Sequence, residues 1–577
     1  KNLRFAIPHF NSSLEQTDEQ PVIKLKAEKY TRIDRLKRMS RDTFDYVIVG
    51  AGAAGSVVAS RLSHLNGVKI CLLEAGRSDW HPLIHIPAGF IKMIFNPDYT
   101  WQFKTEPSPE TGGRPISVMQ GRVVGGSGAI NGMIYNRGQA ADFNNWAQRG
   151  NPGWDYESVL PYFKKSESWA GRSPREKFHG SGGPTKITEM DWFHPICEAF
   201  MDGVEGLGMP RNEDYNGASQ EGVGYFQRFI FKGRRHNSAN AFLKPALKSG
   251  NIDLRREAQV TRILFEGKRA IGVEYLKGSQ KHRIMAEREV IVCSGTVNTP
   301  RLLQVSGIGP EALLSSLGVP VVNELKGVGE NFRDHFSVRL VARVKNSETI
   351  NELSRGPRLL GQIARWATGQ PSILGIAPSL IHIFAKSEPI LEEPDLQGVF
   401  APASFKAGFV GLLDDFPGMT CGFWPHRPES KGYIRAKSTD PHEHPEIQAN
   451  YITDEYDRRV LLAGMKLARK LLRSQPLSKF FDFEAMPGDD VQTDDEWMDY
   501  AGRVGTSSWH LCGTAKMGPV TDAMAVVDPE LKVHGIENLR VADASIMPSC
   551  PSANTYASTM MIAEKAADFI KSSRARP

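Results

Sequence analysis

The chain is poor in the features that mark several large protein classes. Its six cysteines, Cys71, Cys197, Cys293, Cys421, Cys512 and Cys550, are scattered over 577 residues. No two form a Cys-x-x-Cys pair, so neither a disulfide-stapled scaffold nor a structural metal site is indicated. Scattered thiols suit a reducing compartment. No apolar run is long enough to span a bilayer, and no signal-peptide core opens the chain. This predicts a cytoplasmic location with membrane association at most peripheral; a cleaved targeting segment upstream of Lys1 stays compatible with it. An excess of one charge is also missing: 71 Lys+Arg against 65 Asp+Glu leave +6, too weak a bias to imply nucleic acid. There is no internal repeat and no low-complexity tract. What remains is 40% hydrophobic and 24% charged, a globular composition long enough for two or more domains.

Residues 1–42 are polar and skewed basic, with Lys24, Lys26, Lys29, Arg32, Arg35, Lys37, Arg38 and Arg41. They read as a surface arm; the sharper alternative is a peripheral anchor to an anionic membrane or partner.

The next stretch carries chemistry. Phe44–Val49 is β-prone and runs into the glycine loop Gly50-Ala51-Gly52-Ala53-Ala54-Gly55. Ser56–Leu65 then reads as a helix with Val58, Leu62 and Leu65 on one face. Asn66-Gly67 turns the chain, Val68–Leu73 is a second strand, and Glu74 stands at its end. Gly50 permits the tight turn, Gly52 lets backbone approach a pyrophosphate, and Gly55 lets helix and strand pack closely. The helix N-terminus offers N–H groups to phosphates. Glu74 can accept from the two ribose hydroxyls, and its charge opposes a 2′-phosphate. A bare GxGxxG is a weak signal; strand, loop, helix, strand and acid together predict an adenine dinucleotide, without separating FAD from NAD.

A second glycine-rich element follows at Arg122–Gly132, which suits either a second stretch of a large cofactor or an ordinary loop. Glu289–Cys293 reads as a buried strand leading to Ser294-Gly295-Thr296 and a helix with Thr299 as N-cap, Pro300 at N1 and Gly307 as stop. Leu539–Ala542 is another strand, ending at Asp543. A nucleotide domain assembled from such distant pieces suits a long, extended dinucleotide such as FAD.

With these motifs in place the chain resembles the glucose–methanol–choline (GMC) flavoprotein oxidoreductases. The resemblance rests on Asp45–Gly55, Leu73-Glu74-Ala75-Gly76, Gly121–Asn131, Ser294–Pro300, Gly327–His335 and the His510 and Asn554 segments, which follow the family order from about Asp45 to Ile570. It implies an α/β (α+β overall) fold: a Rossmann-like FAD-binding domain with a discontinuous antiparallel-sheet substrate domain. The expected division is an arm at 1–42, FAD-binding parts at 43–162, 251–335 and 511–577, a mixed segment at 163–250, and a substrate domain at 336–510. Residues 351–393 are expected to form helices or a lid near the entrance.

The resemblance also implies roles. His510, in Trp509-His510-Leu511-Cys512-Gly513-Thr514, falls where the family keeps a catalytic histidine, and Asn554 falls at its partner position. This is the His/Asn subtype, as in choline oxidase and hydroxymethylfurfural oxidase; the whole looks closer to bacterial alcohol and choline-type dehydrogenases than to fungal glucose oxidases. Contacts to FAD are expected from Gly50, Gly52, Ala53, Ala54, Gly55, Glu74, Ala75, Arg122, Gly125, Gly126, Ser127, Asn131, Val260, Ser294, Gly295, Trp509, Asp543, Ala544, Asn554 and Thr555. Some relatives attach FAD through a histidine near the second glycine element; Val118 stands there, which predicts non-covalent FAD. His426-Arg427-Pro428 stands where a photodecarboxylase relative has Cys-Arg-Pro, so light-driven decarboxylation is not expected.

Alcohol oxidation removes a hydroxyl proton and sends a hydride to the flavin. A neutral imidazole suits the first task near neutral pH, and an amide donor can stabilise developing alkoxide without competing for the proton. The helix from Thr555 would point its positive end at the reduced flavin. Alone, His510 would read as a core histidine and Asn554 as a helix cap. His335 is read as structural, and Phe423, Trp424 and His426 as substrate-side lining. The expected activity is oxidation of a small to medium primary alcohol, aliphatic or aromatic, with oxygen or a quinone or dye as acceptor. The alternatives are a redox-neutral hydroxynitrile lyase in which FAD is structural, and a cofactor-binding protein without turnover.

Overall fold

The first sheet of the computed structural model is ordered by burial. Residues 42–171, 176–408 and 411–575 are described; the basic arm falls outside them. The buried run of Thr43–Val49 pairs in parallel with Ile70–Leu73, which pairs in parallel with Ile252–Arg255. The sheet continues through Gln280–Val292, Arg269–Lys277 and Gln259–Glu266, the last three an antiparallel meander. Leu539–Val541 adds in parallel to the end of Gln280–Val292. Only that end is continuously buried, which is why the sequence shows a strand at 289–293 but not its polar first half.

Two helix starts differ from expectation. The first helix spans Ala53–Leu62, because the last residues of the glycine loop already form its opening turn. It packs against the C-terminal helix Thr555–Ala575, and Arg61 and Glu564 tie the two together (Nη2–Oε1 2.6 Å). The second spans Gly295–Val305 with Ser294 at the N-cap and Pro300 inside it. Thr299 is therefore not the cap: its hydroxyl donates to Asp543 Oδ2 at 2.7 Å.

The second sheet is antiparallel throughout. Its order is Phe481–Met486, Phe336–Val344, Gly418–Pro425, Leu396–Ala401, Ile381–Ala385 and Gly222–Tyr225. Leu396–Ala401 and Gly418–Pro425 are buried at every position, so they lack the alternation of a half-exposed strand. Helix Glu455–Leu472 packs on them, with Gly464 against Phe423. Thr506–Ser507 pairs with the start of Phe336–Val344, and that short pairing fixes the centre of the molecule. Of the 351–393 region, Ile350–Leu353 and Gly356–Ala367 bear helical structure as expected, whereas Ile381–Ala385 is a buried strand of this sheet rather than helix or lid.

Candidate functional site

A cleft runs between the two sheets with about 1700 Å³ of empty space, its open mouth included. Of the expected cofactor contacts, the wall includes Gly50, Gly52, Ala53, Ala54, Glu74, Ala75, Gly126, Ser127, Asn131, Val260, Ser294, Gly295, Trp509, Asp543, Ala544, Asn554 and Thr555. Gly55, Gly125 and Arg122 are not in it. A Cβ on Gly55 would lie 1.8 Å from the Gly50 carbonyl oxygen, so Gly55 serves helix–strand packing. Gly125 takes φ +94° at the turn into the second glycine element. The Arg122 guanidinium stacks 4.6 Å over the Trp101 ring.

One end of the cleft offers mostly backbone. The helix Ala53–Leu62 has no side-chain cap and no acid in its first turn, leaving its amides and positive end for an anion. A Cβ on Gly126 would sit 2.7 Å from Gly52 Cα, so only glycine allows the two loops to meet. Glu74 accepts from the Ala51 amide at 2.9 Å and the Gly76 amide at 2.7 Å; each carboxylate oxygen keeps a second lone pair. Burial pushes its carboxyl up to about 7 against those two bonds. Asp543 ties elements together rather than standing free: it accepts from the Gly295 amide at 2.8 Å and the Ser545 amide at 2.9 Å. This donor set, in a cleft whose lining runs from Glu74 through Ser294 to His510 and Asn554, fits a dinucleotide.

The other end offers side chains. The Phe336–Ser507 pairing, continued by reciprocal amide bonds between Arg333 and Cys512 (2.9 and 3.0 Å), sets 333–337 against 506–512. Trp509, at φ +61°, kinks the second segment, and its indole N–H donates to the Ser117 carbonyl at 2.9 Å. Asp334 holds the crossing. Its Oδ1 accepts from the amides of His335 and His510, both at 2.8 Å. Its Oδ2 accepts from Tyr451 at 2.6 Å and from Ser507. Burial raises its carboxyl to about 6 despite these four donors.

His510 Nδ1 meets His335 Nδ1 at 2.9 Å, and His335 Nε2 meets the His426 carbonyl oxygen at 2.8 Å. Asn554 Nδ2 lies 2.8 Å from His510 Nε2. Gln397 Nε2 donates to Asn554 Oδ1 at 3.4 Å, which turns the amide nitrogen toward His510. The tautomers follow. A carbonyl only accepts, so His335 carries its proton on Nε2. Its Nδ1 must then accept, so His510 carries its proton on Nδ1, and His510 Nε2 is left with a lone pair at the cavity. Both rings are uncharged: burial lowers His335 to about 4, and burial with the neighbouring His335 holds His510 well below the usual imidazole value.

Asn554 sits just before the helix Thr555–Ala575, whose first turn holds no acid. Ser552 anchors the approach through Asp142, with bonds of 2.8 and 2.9 Å. The three residues expected on the substrate side part company. Trp424 approaches His510, ring centroids 6.1 Å apart. Phe423, one residue earlier, turns into the core beneath the sheet, as strand alternation requires. The His426 ring is buried against Phe384, and what it gives the site is its carbonyl. His335, read as structural, contacts the His510 ring. The pairing of Gly327–His335 with the histidine segment was the available signal; spacing alone does not show it.

Two glycine-lined walls, a capless helix and a neutral histidine define a dinucleotide-dependent enzyme. The GMC oxidoreductase N-terminal family model matches residues 44–337 and the C-terminal one residues 428–563. The chain is 39% identical over 541 residues to an oxygen-dependent choline dehydrogenase of Staphylococcus aureus, covering 92% of this chain and 93% of that one. It is 38% identical over 545 residues to the mitochondrial choline dehydrogenase of Homo sapiens, covering 92% and 90%. Among solved structures it is similar to pyridoxine 4-oxidase from Mesorbium loti, with TM-score 0.82, 27% identity and coverage of 91% and 98%. It is also similar to a fungal aryl-alcohol oxidase, with TM-score 0.80, 25% identity and coverage of 92% and 100%. The chain belongs to the GMC oxidoreductase family and is an FAD flavoprotein oxidoreductase. No helix among the described residues is long and apolar enough to cross a membrane.

Proposed function

We propose that this protein oxidises a primary alcohol to its aldehyde, with His510 as the base and Asn554 holding the reacting oxygen. The observation that carries this reading is the proton order His426 carbonyl–His335–His510, which leaves the His510 Nε2 lone pair beside Asn554. A substrate hydroxyl that accepts from Asn554 Nδ2 and donates to His510 Nε2 replaces the direct bond between them. The proton passes to Nε2, and the amide holds the alkoxide that develops. When bound, FAD would supply the acceptor for the hydride from the carbinol carbon. Gly52, Ala53 and Ala54 would hold its pyrophosphate, Glu74 a ribose, and Thr555 onward the flavin ring's anionic edge.

Non-covalent FAD is part of the proposal, because Val118 is a buried aliphatic residue without a nucleophile. Choline is the first alcohol to try, given the named relatives at 38–39% identity. The test is anaerobic titration of the purified flavoprotein with choline and a panel of aliphatic and aromatic primary alcohols, followed by air. Bleaching by one alcohol, with the aldehyde formed, is expected. Rapid reoxidation in air with peroxide would mark an oxidase, and reoxidation only by a quinone or dye a dehydrogenase. Flavin that no alcohol bleaches, with cyanide released from mandelonitrile, would replace the proposal with the lyase.

A further inference from the structure

The helix Gly356–Ala367 has twelve residues and none of them is buried. It is nevertheless pinned. Ser372 donates to the Gln362 carbonyl at 2.8 Å, the Ile373 amide to Gln362 Oε1 at 3.1 Å, and Trp366 Nε1 to the Gly233 carbonyl at 2.8 Å. With Gln362 and Trp366 held against the body, the helical rotation turns Leu360, Ile363 and Ala367 outward. Leu360 is 68% and Ile363 41% exposed. Single exposed aliphatic residues are ordinary, but two on one face of a fastened helix make a patch.

Its surroundings are poor in unpaired carboxylates: beside the helix, Glu348 is paired with Arg358 at 2.7 Å and Asp415 with Arg355 at 3.2 Å. The stretches 80–97, 222–252, 353–387 and 396–413 contain no Asp or Glu, in a chain that carries 65 of them. The fold brings these stretches together. Besides the Trp366–Gly233 bond, Arg235 Nε donates to the Ile84 carbonyl at 2.9 Å. A Cβ on Gly411 would lie 2.7 Å from the Phe90 ring. The exposed cations Lys232, Arg234 and Arg365 form no ion pair among the described residues, and the Arg234 guanidinium lies 5.3 Å over the Trp366 ring. The face also borders the cleft: Ile94 lines it, and Gly132, another lining residue, packs on Pro378.

We propose that this face docks the protein onto an anionic lipid bilayer. Leu360 and Ile363 enter the boundary between headgroups and acyl chains, while Lys232, Arg234 and Arg365 meet lipid phosphates. Interfacial binding needs apolar area on one side of a helix and cations around it, and both are present. The four acid-free stretches, and the pairing of the neighbouring Glu348, Asp415 and Asp191 with Arg358, Arg355 and Arg228, limit the repulsion an anionic surface would otherwise meet.

The test is co-sedimentation of the full FAD-loaded chain with vesicles of phosphatidylcholine alone and with about 30% phosphatidylglycerol. Binding to the anionic vesicles is expected, falling away in about 0.5 M salt. Leu360→Asp/Ile363→Asp should weaken partitioning at least about tenfold while flavin content, melting temperature and alcohol-driven flavin bleaching stay at the parent's values. Lys232→Glu/Arg234→Glu should weaken binding to anionic vesicles alone. Parent protein that stays in the supernatant with anionic vesicles at low salt would overturn the proposal. So would a Leu360→Asp/Ile363→Asp variant that binds as tightly as the parent, which would place binding elsewhere, for instance on the basic arm. If the parent ignores vesicles and light scattering shows the double variant converting a dimer to a monomer, a second copy covers the face instead.

Discussion

At the dinucleotide end of the cleft, Gly50, Gly52, Ala53 and Glu74 come from one βαβ unit, and most of what they present is main chain. At the proposed catalytic end, His335, His426, His510 and Asn554 come from four separate segments, and three of the four present side chains. The first end depends on how closely backbones approach, so it should fail through sterics. The second depends on which nitrogen holds a proton, so it should fail through chemistry while the fold survives. Substitutions at the two ends test that division.

The largest effect is expected at the dinucleotide end from a single methyl group. Gly55→Ala puts a Cβ 1.8 Å from the Gly50 carbonyl oxygen, and neither backbone can give way without moving the glycine loop. Overpacking of this kind costs about 1–3 kcal/mol or more. The variant should purify with little FAD and a lowered melting temperature. Full flavin content at the parent's melting temperature would show the packing to be looser than the distance states. At the catalytic end His510→Gln should do the reverse: FAD retained, melting temperature near the parent's, and the rate of flavin reduction down by about 10²–10⁴, the usual share of a general base.

A finer division lies within the catalytic end. His335 acts through His510, so His335→Ala should lower kcat by about 10²-fold with KM little changed. The lost proton order lets His510 carry its proton on either nitrogen. His335→Asn still offers an acceptor to the His510 Nδ1 proton, though it cannot reach the His426 carbonyl, so it should recover part of the loss. A purely structural role for His335 would show instead as falling stability in both variants and no recovery of rate by asparagine.

The same division explains what could be read from the chain. Glycine loop, strand and Glu74 sit within one short unit, where spacing and geometry coincide, and their chemistry was legible from the residues. The roles proposed for His510 and Asn554 rest in the sequence on the family resemblance alone, because nothing local distinguishes either from a core histidine or a helix cap. The place of His335 beside His510 is not legible in the sequence, for a topological reason. Its contact with His510 depends on Phe336 pairing with Ser507, a register that no periodicity in either segment announces. The three residues at 423–426 were grouped by proximity in sequence, whereas strand alternation sends Phe423 away from Trp424. The helix at 295–305 was misplaced by reading Thr299 as a cap, when Asp543, far along the chain, claims its hydroxyl.

The smallest expected effect is a pH dependence, and its sign separates the two ends again. His335 has a folded value of about 4, below the roughly 6.5 of a free imidazole. The folded protein thus resists the proton that the unfolded chain accepts. This contribution to stability is present above pH about 6.5 and is lost as the pH falls toward 4, by at most about 1.4 kcal/mol per pH unit for one group. His510 acts in the same direction. Glu74 and Asp334, raised to about 7 and 6, act oppositely: their contribution is full below the free carboxylate values near 4 and is lost as the pH rises through 6 and 7. The parent's stability curve is a difference of these effects, so the informative quantity is His335→Asn minus parent. That difference should rise in favour of the variant as the pH drops from 6.5 toward 4, measured by denaturant unfolding. Over the same range kcat/KM per folded parent molecule should lack the roughly tenfold loss that a free imidazole would show by pH 5.5, because His510 stays uncharged. Parallel stability curves, with an acid limb in the rate at 6.5, would mean that the relay takes up a proton in the folded state, and the proton order assigned to His335 and His510 would have to be reversed.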